Sequence, residues 1–266
     1  IIIARTNGYH GSTMGGGSLG GMAGIHAHGG KIAGIVHIGE PNWWEQGGDL
    51  TPEDFGLLRA RELEAKILEL GVENVAAFIG EPVQGAGGVI IPPSTYWPEI
   101  QRIVDKYGIL LIADEVITGF GRTGPMFACT EDGIVPDMLT CAKGLTSGYV
   151  PMGAVILSDR MYQVIADHAG AAAIGHGFTY SAHPVSAAVG LAVLDLYEGG
   201  LLDNGRRMGA RLQAALAVTL AVTLHLGAFA LRPGPAPRAK KTLEPIAGWR
   251  VAQSGSAFPV LPLRWG

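Results

Sequence analysis

Six short apolar runs, separated by stretches with helical patterns, restrict the possible folds of this chain more than any other feature. The runs are rich in Val and Ile and span residues 1–4, 32–38, 75–79, 109–113, 138–142 and 152–157. They are nearly continuous rather than alternating, which is typical of strands covered on both faces. Helical patterns occupy residues 53–70, 94–107 and 182–197. The repeated order of strand, helix and strand predicts an α/β fold with a mostly parallel sheet.

The composition agrees with this fold and excludes several functional classes. With 48% hydrophobic and 16% charged residues over 266 positions, the chain can bury a large core, which excludes disorder and collagen. A net charge of -4 gives no general basic field, so we predict no nucleic-acid partner. Two cysteines, Cys129 and Cys141, indicate neither a disulfide framework nor a Cys-based zinc site. We therefore predict a cytoplasmic protein without a metal.

Three of the apolar runs end in polar residues that a buried strand would normally avoid. Glu81 follows the run at 75–79, Asp114 follows 109–113, and Lys143 follows 138–142. The carboxyl ends of parallel strands meet at one edge of a sheet, where α/β proteins bind ligands. One such residue is equally well explained as a solvated loop charge, but three in one sheet favour a binding site.

Among the lysines, Lys143 has the setting that a covalent nucleophile requires. Such an amine must be neutral part of the time, which an apolar surrounding favours. The other lysines lie on helix faces, before a strand or in the tail: Lys66, Lys106, Lys31, Lys240 and Lys241. Asp114 ends a strand 29 residues before Lys143 and would place a carboxylate in the same crevice. An imine-forming lysine with a buried aspartate is the pair that a pyridoxal 5'-phosphate (PLP) site needs.

Four motifs in this order resemble the class III aminotransferases. They are Tyr-His-Gly-Ser-Thr at 9–13, Glu-Pro-Val-Gln-Gly at 81–85, the Asp-Glu-Val motif within 113–124, and Ala-Lys-Gly-Leu at 142–145. The segments at 41–44 and 96–100 resemble the omega-amine:pyruvate transaminase branch of that family. The resemblance covers about residues 1–203. It implies the large domain of a fold type I PLP-dependent transferase, incomplete here at both ends, and a homodimer.

The resemblance also implies roles for single residues around the cofactor. Lys143 would hold PLP as a Schiff base and later move the proton of the substrate. Asp114 would bind the pyridine nitrogen, and Val116 would pack on a face of the ring. Glu81 and Gln84 would lie near the phenolic oxygen of the cofactor and the substrate.

Three further residues would complete the site, and each has a simpler interpretation. Tyr9 and His10 resemble the aromatic pair that covers the ring and lines the substrate pocket. Tyr9 is otherwise a core aromatic residue, and His10 a turn residue. Thr179 resembles the threonine that reaches the phosphate of the neighbouring subunit, but it would equally serve as the cap of a helix that starts near Ala182.

The predicted function is the transfer of an amino group from a primary amine or omega-amino acid to a 2-oxo acid such as pyruvate. Another class III activity, an aminomutase or a decarboxylase, is the alternative, because the Lys–Asp pair serves all of them. A catalytically inactive fragment that only binds or dimerises is a third interpretation. It is motivated by the absence of a Gly-Ser phosphate loop, which the family carries before Tyr9.

The last 63 residues differ from the rest of the chain. Residues 204–266 contain nine Lys and Arg and one acid, Glu244, whereas residues 1–203 contain ten Lys and Arg and 22 acids. We predict a partial PLP-binding domain at 1–203 and an atypical basic tail at 204–266, in place of the small C-terminal domain of the family. The uncharged stretch 214–231 is long enough to span a membrane, but its polar residues favour no membrane partner. A divergent C-terminal domain is an alternative, and a change of reading frame near residue 214 is our preferred explanation. The start of the chain, without Met or a charged segment, indicates no signal peptide.

Overall fold

A computed structural model describes residues 1–167 and 177–230, with side chains described up to residue 219. The chain divides into two compact units, Ile1–Ala215 and Leu216–Gly266. The first unit contains the sheet and its flanking helices. In the second unit, the structure describes residues 216–230 as helix.

All six predicted strands are present, and they form one sheet. The strands are β1 (Ile2–Arg5), β2 (Ile35–Ile38), β3 (Ala77–Gly80), β4 (Leu110–Asp114), β5 (Met138–Cys141) and β6 (Ala154–Leu157). Their order is β2-β1-β3-β4-β5-β6. All neighbouring pairs are parallel except β5 and β6, which are antiparallel. The prediction of an α/β fold with a mostly parallel sheet is confirmed.

Eight α-helices accompany the strands in the described part of the chain. They are α1 (Met14–Leu19), α2 (Ala23–Gly29), α3 (Trp43–Gln46), α4 (Pro52–Leu70), α5 (Tyr96–Tyr107), α6 (Asp159–Asp167), α7 (Pro184–Leu196) and α8 (Leu202–Ala230). The three predicted helices correspond to α4, α5 and α7. Helix α1 has three glycines in six residues, and because glycine has a low helix propensity the sequence does not predict this helix. It begins with a capping bond, in which Gly16 N donates to Thr13 Oγ1 over 3.2 Å.

Helices α4 and α5 cover the sheet with matching apolar faces. In α4 the fully buried Leu63 and Ile67 are four residues apart, and in α5 Ile100 and Ile103 are three apart. These side chains belong to one core cluster that also contains Phe78 of β3. Fully burying each side chain stabilises the fold by about 1.5–3 kcal/mol. This packing fixes β3 and β4, whose ends carry two of the predicted site residues.

Residues Pro184–Thr219 form a helical stretch that is long and apolar enough to cross a membrane by length and composition alone. Inside the first unit, Val193 and Tyr197 are buried in the core cluster, and Leu202 packs against it. These contacts attach the first half of the stretch to the sheet domain. The prediction of no membrane partner stays a prediction.

The predicted domain boundary also stays a prediction. Helix α8 begins at Leu202 and runs through residue 203 without a break. Of the predicted tail, residues 231–266 lie outside the described residues. The proposed change of reading frame near residue 214 concerns mainly that part of the chain.

Candidate active site

The ends of β3, β4 and β5 lie side by side at the carboxyl edge of the sheet. In the strand register, Gly80 pairs with Ala113, and Asp114 pairs with Thr140. Glu81 directly follows β3, Asp114 is the last residue of β4, and Lys143 comes two residues after β5. The three polar strand ends predicted from the sequence therefore belong to neighbouring strands. This is the crevice in which α/β proteins bind ligands.

Asp114 is a buried carboxylate held by two donors. His10 Nδ1 lies 2.6 Å from Asp114 Oδ2, and the two side chains are 3% and 7% exposed. The backbone N–H of Val116 donates to Asp114 Oδ1 over 3.1 Å. These contacts orient the carboxylate and compensate for its burial. The buried ring of His10 contacts Asp114, which the sequence does not indicate, and the expected place of His10 over the cofactor ring stays a prediction.

Glu81 connects the end of β3 to the Tyr9 segment. Its Oε1 accepts from Tyr9 N and its Oε2 from Gly85 N, each over 3.0 Å, and the side chain is buried. The backbone carbonyl of Glu81 accepts from Arg5 Nη2. Arg5 is fully buried, with its guanidinium 5.2 Å from the ring of Trp97. Arg5 is not among the predicted site residues, although a cation that ends an apolar strand is a signal present in the sequence.

Gln84 and Thr140 carry buried polar atoms without a hydrogen-bond partner among the described atoms. Gln84 Nε2 donates to Thr6 O over 3.0 Å, but Gln84 Oε1 has no partner. Thr140 Oγ1, on the strand beside Asp114, also has none. Leaving a buried polar atom unpaired costs about 1–3 kcal/mol. A bound group that supplies a hydrogen bond would recover that energy, so these atoms fit a cofactor or substrate at this edge.

Lys143 is one of the residues that line a cavity of about 450 Å³. It is exposed and begins a 3-10 turn, Lys143–Thr146. The cavity is lined also by Arg122, Gly144, Ser147, Gly148 and Tyr197. None of these five is among the predicted site residues. Arg122 lies inside the quoted 113–124 motif, whereas nothing in the sequence near Tyr197 indicates that it reaches Lys143.

The backbone of Lys143 is in the left-handed region, with φ +45°. An L-residue with a side chain adopts this conformation at a cost of about 1–2 kcal/mol. Such strain in an ordered structure is concentrated at functional sites. The conformation is compatible with a functional role for Lys143, but residues outside the candidate site, such as Val89 and Ala182, also have a positive φ.

Thr179 is not joined to the other predicted residues by any described contact. It lies in an exposed turn before α7. The N-cap residue of α7 is His183, so the interpretation of Thr179 as the cap of this helix is wrong. Its proposed contact with a neighbouring subunit stays a prediction.

The two thiols are free and buried, and neither competes with Lys143 as a nucleophile. Burial, reinforced by the nearby charge of Glu115, raises the pKa of Cys129 to about 12. Burial also raises the pKa of Cys141. Both groups therefore stay protonated at neutral pH, and a protonated thiol is a poor nucleophile. Within residues 1–167 and 177–230, no group of three or more His, Cys, Asp or Glu residues is placed to hold a metal ion.

Glu115, which is not among the predicted site residues, holds the segments around Asp114 through its hydrogen bonds. Its side chain is fully buried, and its Oε1 accepts from Cys129 N over 2.7 Å. Its other carboxylate oxygen accepts from Thr118 Oγ1. The backbone N–H of Glu115 donates to Thr140 O over 2.9 Å. One residue thus ties the loop after β4 and the neighbouring strand β5 to the position of Asp114.

Known proteins match the chain over most of its length. The family model for class III aminotransferases matches residues 1–223. This match extends 20 residues beyond the limit of 203 expected from the motifs. The putrescine–pyruvate aminotransferase of Pseudomonas aeruginosa is 57% identical over 192 residues, which are 72% of this chain and 41% of that protein. The diaminobutyrate–2-oxoglutarate transaminase of Halomonas elongata is 46% identical over 218 residues, 80% of this chain and 46% of that protein.

A solved structure shows the same fold. An amine transaminase from an uncultivated Pseudomonas species, in its PLP-bound form, is 44% identical, with a TM-score of 0.74. The match covers 79% of this chain and 48% of that chain, so the chain spans about half the length of the relatives it matches, or less. The expected fold, the large domain of a fold type I PLP-dependent transferase, is confirmed. From its sequence match and its sheet, the chain belongs to the class III aminotransferase family.

Proposed function

We propose that this protein is a PLP-dependent aminotransferase that moves an amino group from a primary amine or omega-amino acid to a 2-oxo acid such as pyruvate. The observation that carries the proposal is that Lys143 follows β5 by two residues, and that β5 pairs with β4, the strand that ends in the buried Asp114. The residues present fit the cofactor. Lys143 supplies an amine on a cavity wall, and Asp114 supplies an oriented carboxylate.

When bound, PLP supplies an electron sink that stabilises negative charge on the substrate carbon next to the amine. The protein residues have three tasks around it. Lys143 Nζ would hold the aldehyde of the cofactor, and as a free amine it would take up and release a proton. The carboxylate of Asp114 would keep a proton on the pyridine nitrogen, and His10 holds that carboxylate in place through its 2.6 Å contact. Val116 also orients this carboxylate, and we propose that its side chain packs on the ring.

The Tyr9 segment and the Gln84 loop would form the remaining contacts. The carboxylate of Glu81 accepts from Tyr9 N and so holds the backbone of the Tyr9 segment, and the Tyr9 side chain would cover the cofactor ring from there. Gln84 has a buried Oε1 free to accept a hydrogen bond from a bound molecule. These roles follow from the family resemblance together with the described contacts.

The choice of amine donor and acceptor follows the relatives. One relative is a putrescine–pyruvate aminotransferase and another a diaminobutyrate–2-oxoglutarate transaminase. Both names describe the transfer of an amino group from a diamino compound to a 2-oxo acid. The higher identity to the first favours pyruvate as the acceptor. Conversion of pyruvate to alanine in the presence of putrescine is therefore the activity to measure.

We also propose a cytoplasmic homodimer, with no nucleic-acid or membrane partner. Four large side chains of the first unit are 74–86% exposed: Trp44, Tyr149, Phe178 and Tyr180. A subunit interface would cover exposed aromatic groups if they lie in one contiguous patch. In a dimer, Thr179 would reach the cofactor phosphate of the other subunit. Light scattering after size exclusion tests the dimer, and a monomeric mass would refute it.

The proposed function is tested with the purified full chain and added PLP. Borohydride reduction followed by peptide mass spectrometry should place the cofactor on Lys143, and Lys143→Ala should abolish both the label and alanine formation. Lys31→Ala, at an exposed lysine before β2, is the matched control and should change neither. Labelling at other lysines, with Lys143 unmodified, contradicts the proposal. Labelling at Lys143 without alanine formation would favour an inactive fragment, and loss of carbon dioxide from an amino acid would favour a decarboxylase.

A further inference from the structure

We infer that Tyr197 is a positioning residue for Lys143, an inference that rests on the proposed function of this lysine. Tyr197 is far from Lys143 in sequence, at the junction between α7 and α8. Both residues line the same cavity. The Tyr197 hydroxyl donates to the backbone carbonyl of Gly144, the residue after Lys143, over 2.8 Å. The bond is buried, so water does not compete for it.

The hydroxyl of Tyr197 holds the strained turn at two points. Besides Gly144 O, it lies 3.4 Å from Ser147 Oγ. Both Lys143 and Ser147 have positive φ, +45° and +49°, and they stand at the two ends of the turn. The bonds of the turn include Leu145 N to Ala142 O and Ser147 N to Gly144 O. A strained backbone persists only when its surroundings fix it. The Tyr197 hydroxyl supplies that constraint from outside the turn.

The Tyr197 ring fixes the other side of the same turn through Phe120. The two rings are stacked, with centroids 5.6 Å apart and planes at 28°. Phe120 packs so closely on Gly144 that a Cβ at Gly144 would lie 2.6 Å from the Cβ of Phe120. The turn is therefore held between the aromatic pair and the Tyr197 hydroxyl. In the described contacts Tyr197 bonds to the turn and not to the Lys143 side chain, so it acts on Lys143 through the backbone.

The junction of the two helices places Tyr197 at this point. The regular α-helix is interrupted at Tyr197–Leu201, where Gly200 has φ +102°. Beyond the kink, Leu202 contacts Gly121, and Arg206 Nε donates to Gly124 O over 3.1 Å. The start of α8 therefore contacts the loop that carries Phe120. The α7–α8 segment, remote in sequence, becomes part of the support for the proposed nucleophile.

The test is Tyr197→Phe in the full chain, which keeps the ring and removes the hydroxyl. The control is Tyr162→Phe, at an exposed tyrosine on α6. Hydrogen exchange, which needs no cofactor, should be about five- to tenfold faster for the 143–148 amides in Tyr197→Phe. This is the factor expected from the loss of one hydrogen bond. In Tyr162→Phe the same amides should exchange at the wild-type rate. Equal exchange of the turn in Tyr197→Phe and wild type would overturn the inference.

A second readout connects the turn to the chemistry. The rate at which PLP is trapped on Lys143 by borohydride should fall about fivefold in Tyr197→Phe, and the circular dichroism of the bound cofactor should weaken per molecule bound. A residue with a merely structural role would lower overall stability and leave the dichroism per bound cofactor unchanged. Unchanged trapping and dichroism would overturn the inference. Failure of wild type to label Lys143 would instead refute the proposed function, while hydrogen exchange still decides whether Tyr197 holds the turn.

Discussion

Replacing Lys143 with glycine should remove the proposed activity and yet give a more stable protein than replacement with alanine. Both variants lack the amine, so they differ only in the backbone and one methyl group. Alanine retains the left-handed strain at φ +45°, which costs about 1–2 kcal/mol. Glycine avoids it but loses about 0.5–1 kcal/mol through the greater freedom of the unfolded chain. The difference leaves Lys143→Gly more stable by about 0.7 kcal/mol.

The neighbouring residue supplies a control of opposite sign. Ala142 has an extended backbone, with φ -161°, which every residue adopts without strain. Ala142→Gly should therefore lower stability by about 0.5–1 kcal/mol. Urea unfolding of the cofactor-free variants measures both effects. Thermal midpoints should separate Lys143→Gly from Lys143→Ala by about 2 °C. The opposite result would be a lower free energy of unfolding for Lys143→Gly than for Lys143→Ala, by as much as Ala142→Gly loses relative to wild type. That result would show that the backbone of Lys143 is not strained.

Three other predictions concern the support of the site. Glu115→Gln should lower the free energy of unfolding by about 2 kcal/mol in a urea titration, because the amide cannot accept from both Thr118 Oγ1 and Cys129 N. The control Glu131→Gln, at an exposed residue, should leave the free energy of unfolding unchanged. Gly87→Ala should destabilise by about 1–3 kcal/mol, since its Cβ would lie 2.2 Å from Asn7 O; Gly15→Ala, with open space, should not destabilise. Burial lowers the pKa of His37 from its ordinary value of 6.5, so the unfolded chain binds a proton there more tightly than the folded chain does. The free energy of unfolding should therefore fall as the pH drops below about 6.5. His37→Gln should reduce that loss between pH 7.5 and 5.5, and an unchanged slope contradicts the assignment.

The parts of the fold that the sequence predicts are those governed by local pattern. Buried parallel strands have no polar face, so the six apolar runs are recognisable without knowledge of their neighbours. The same pattern identifies Asp114 and Lys143 as candidate site residues, because a charge that ends such a run is unusual. Helices α4 and α5 are recognisable from their apolar periodicity. Helix α1 is not, because its glycines carry no periodic signal and Thr13 caps it through one bond.

The contacts that the sequence does not predict join residues far apart in the chain. His10 meets Asp114 across 104 positions, and Tyr197 meets Gly144 across 53. Neither pair has a spacing that a helix or a strand would impose, so only the folded sheet brings its members together. Arg5 is a similar case, since its partner, the carbonyl of Glu81, is a backbone atom that leaves no trace in the sequence. Sequence pattern thus identifies the chemical groups, while tertiary contacts decide how they are held.

The relative position of Asp114 and Lys143 depends on a single strand register. Successive residues of a strand point to opposite faces, so a slip of β4 against β5 by one residue would turn Asp114 away from the face it now occupies. Two bonds outside the ladder fix this register: Glu115 N to Thr140 O at the carboxyl end, and Asp137 N to Leu111 O at the start. Asp137 Oδ2 also accepts from Leu111 N over 3.0 Å. The buried carboxylate of Glu115 holds the loop after β4, and its backbone N–H holds β5, the strand that leads to Lys143. The adjacent acids therefore have separate tasks: Asp114 is the proposed partner of the cofactor, and Glu115 holds the register of the strand that leads to Lys143.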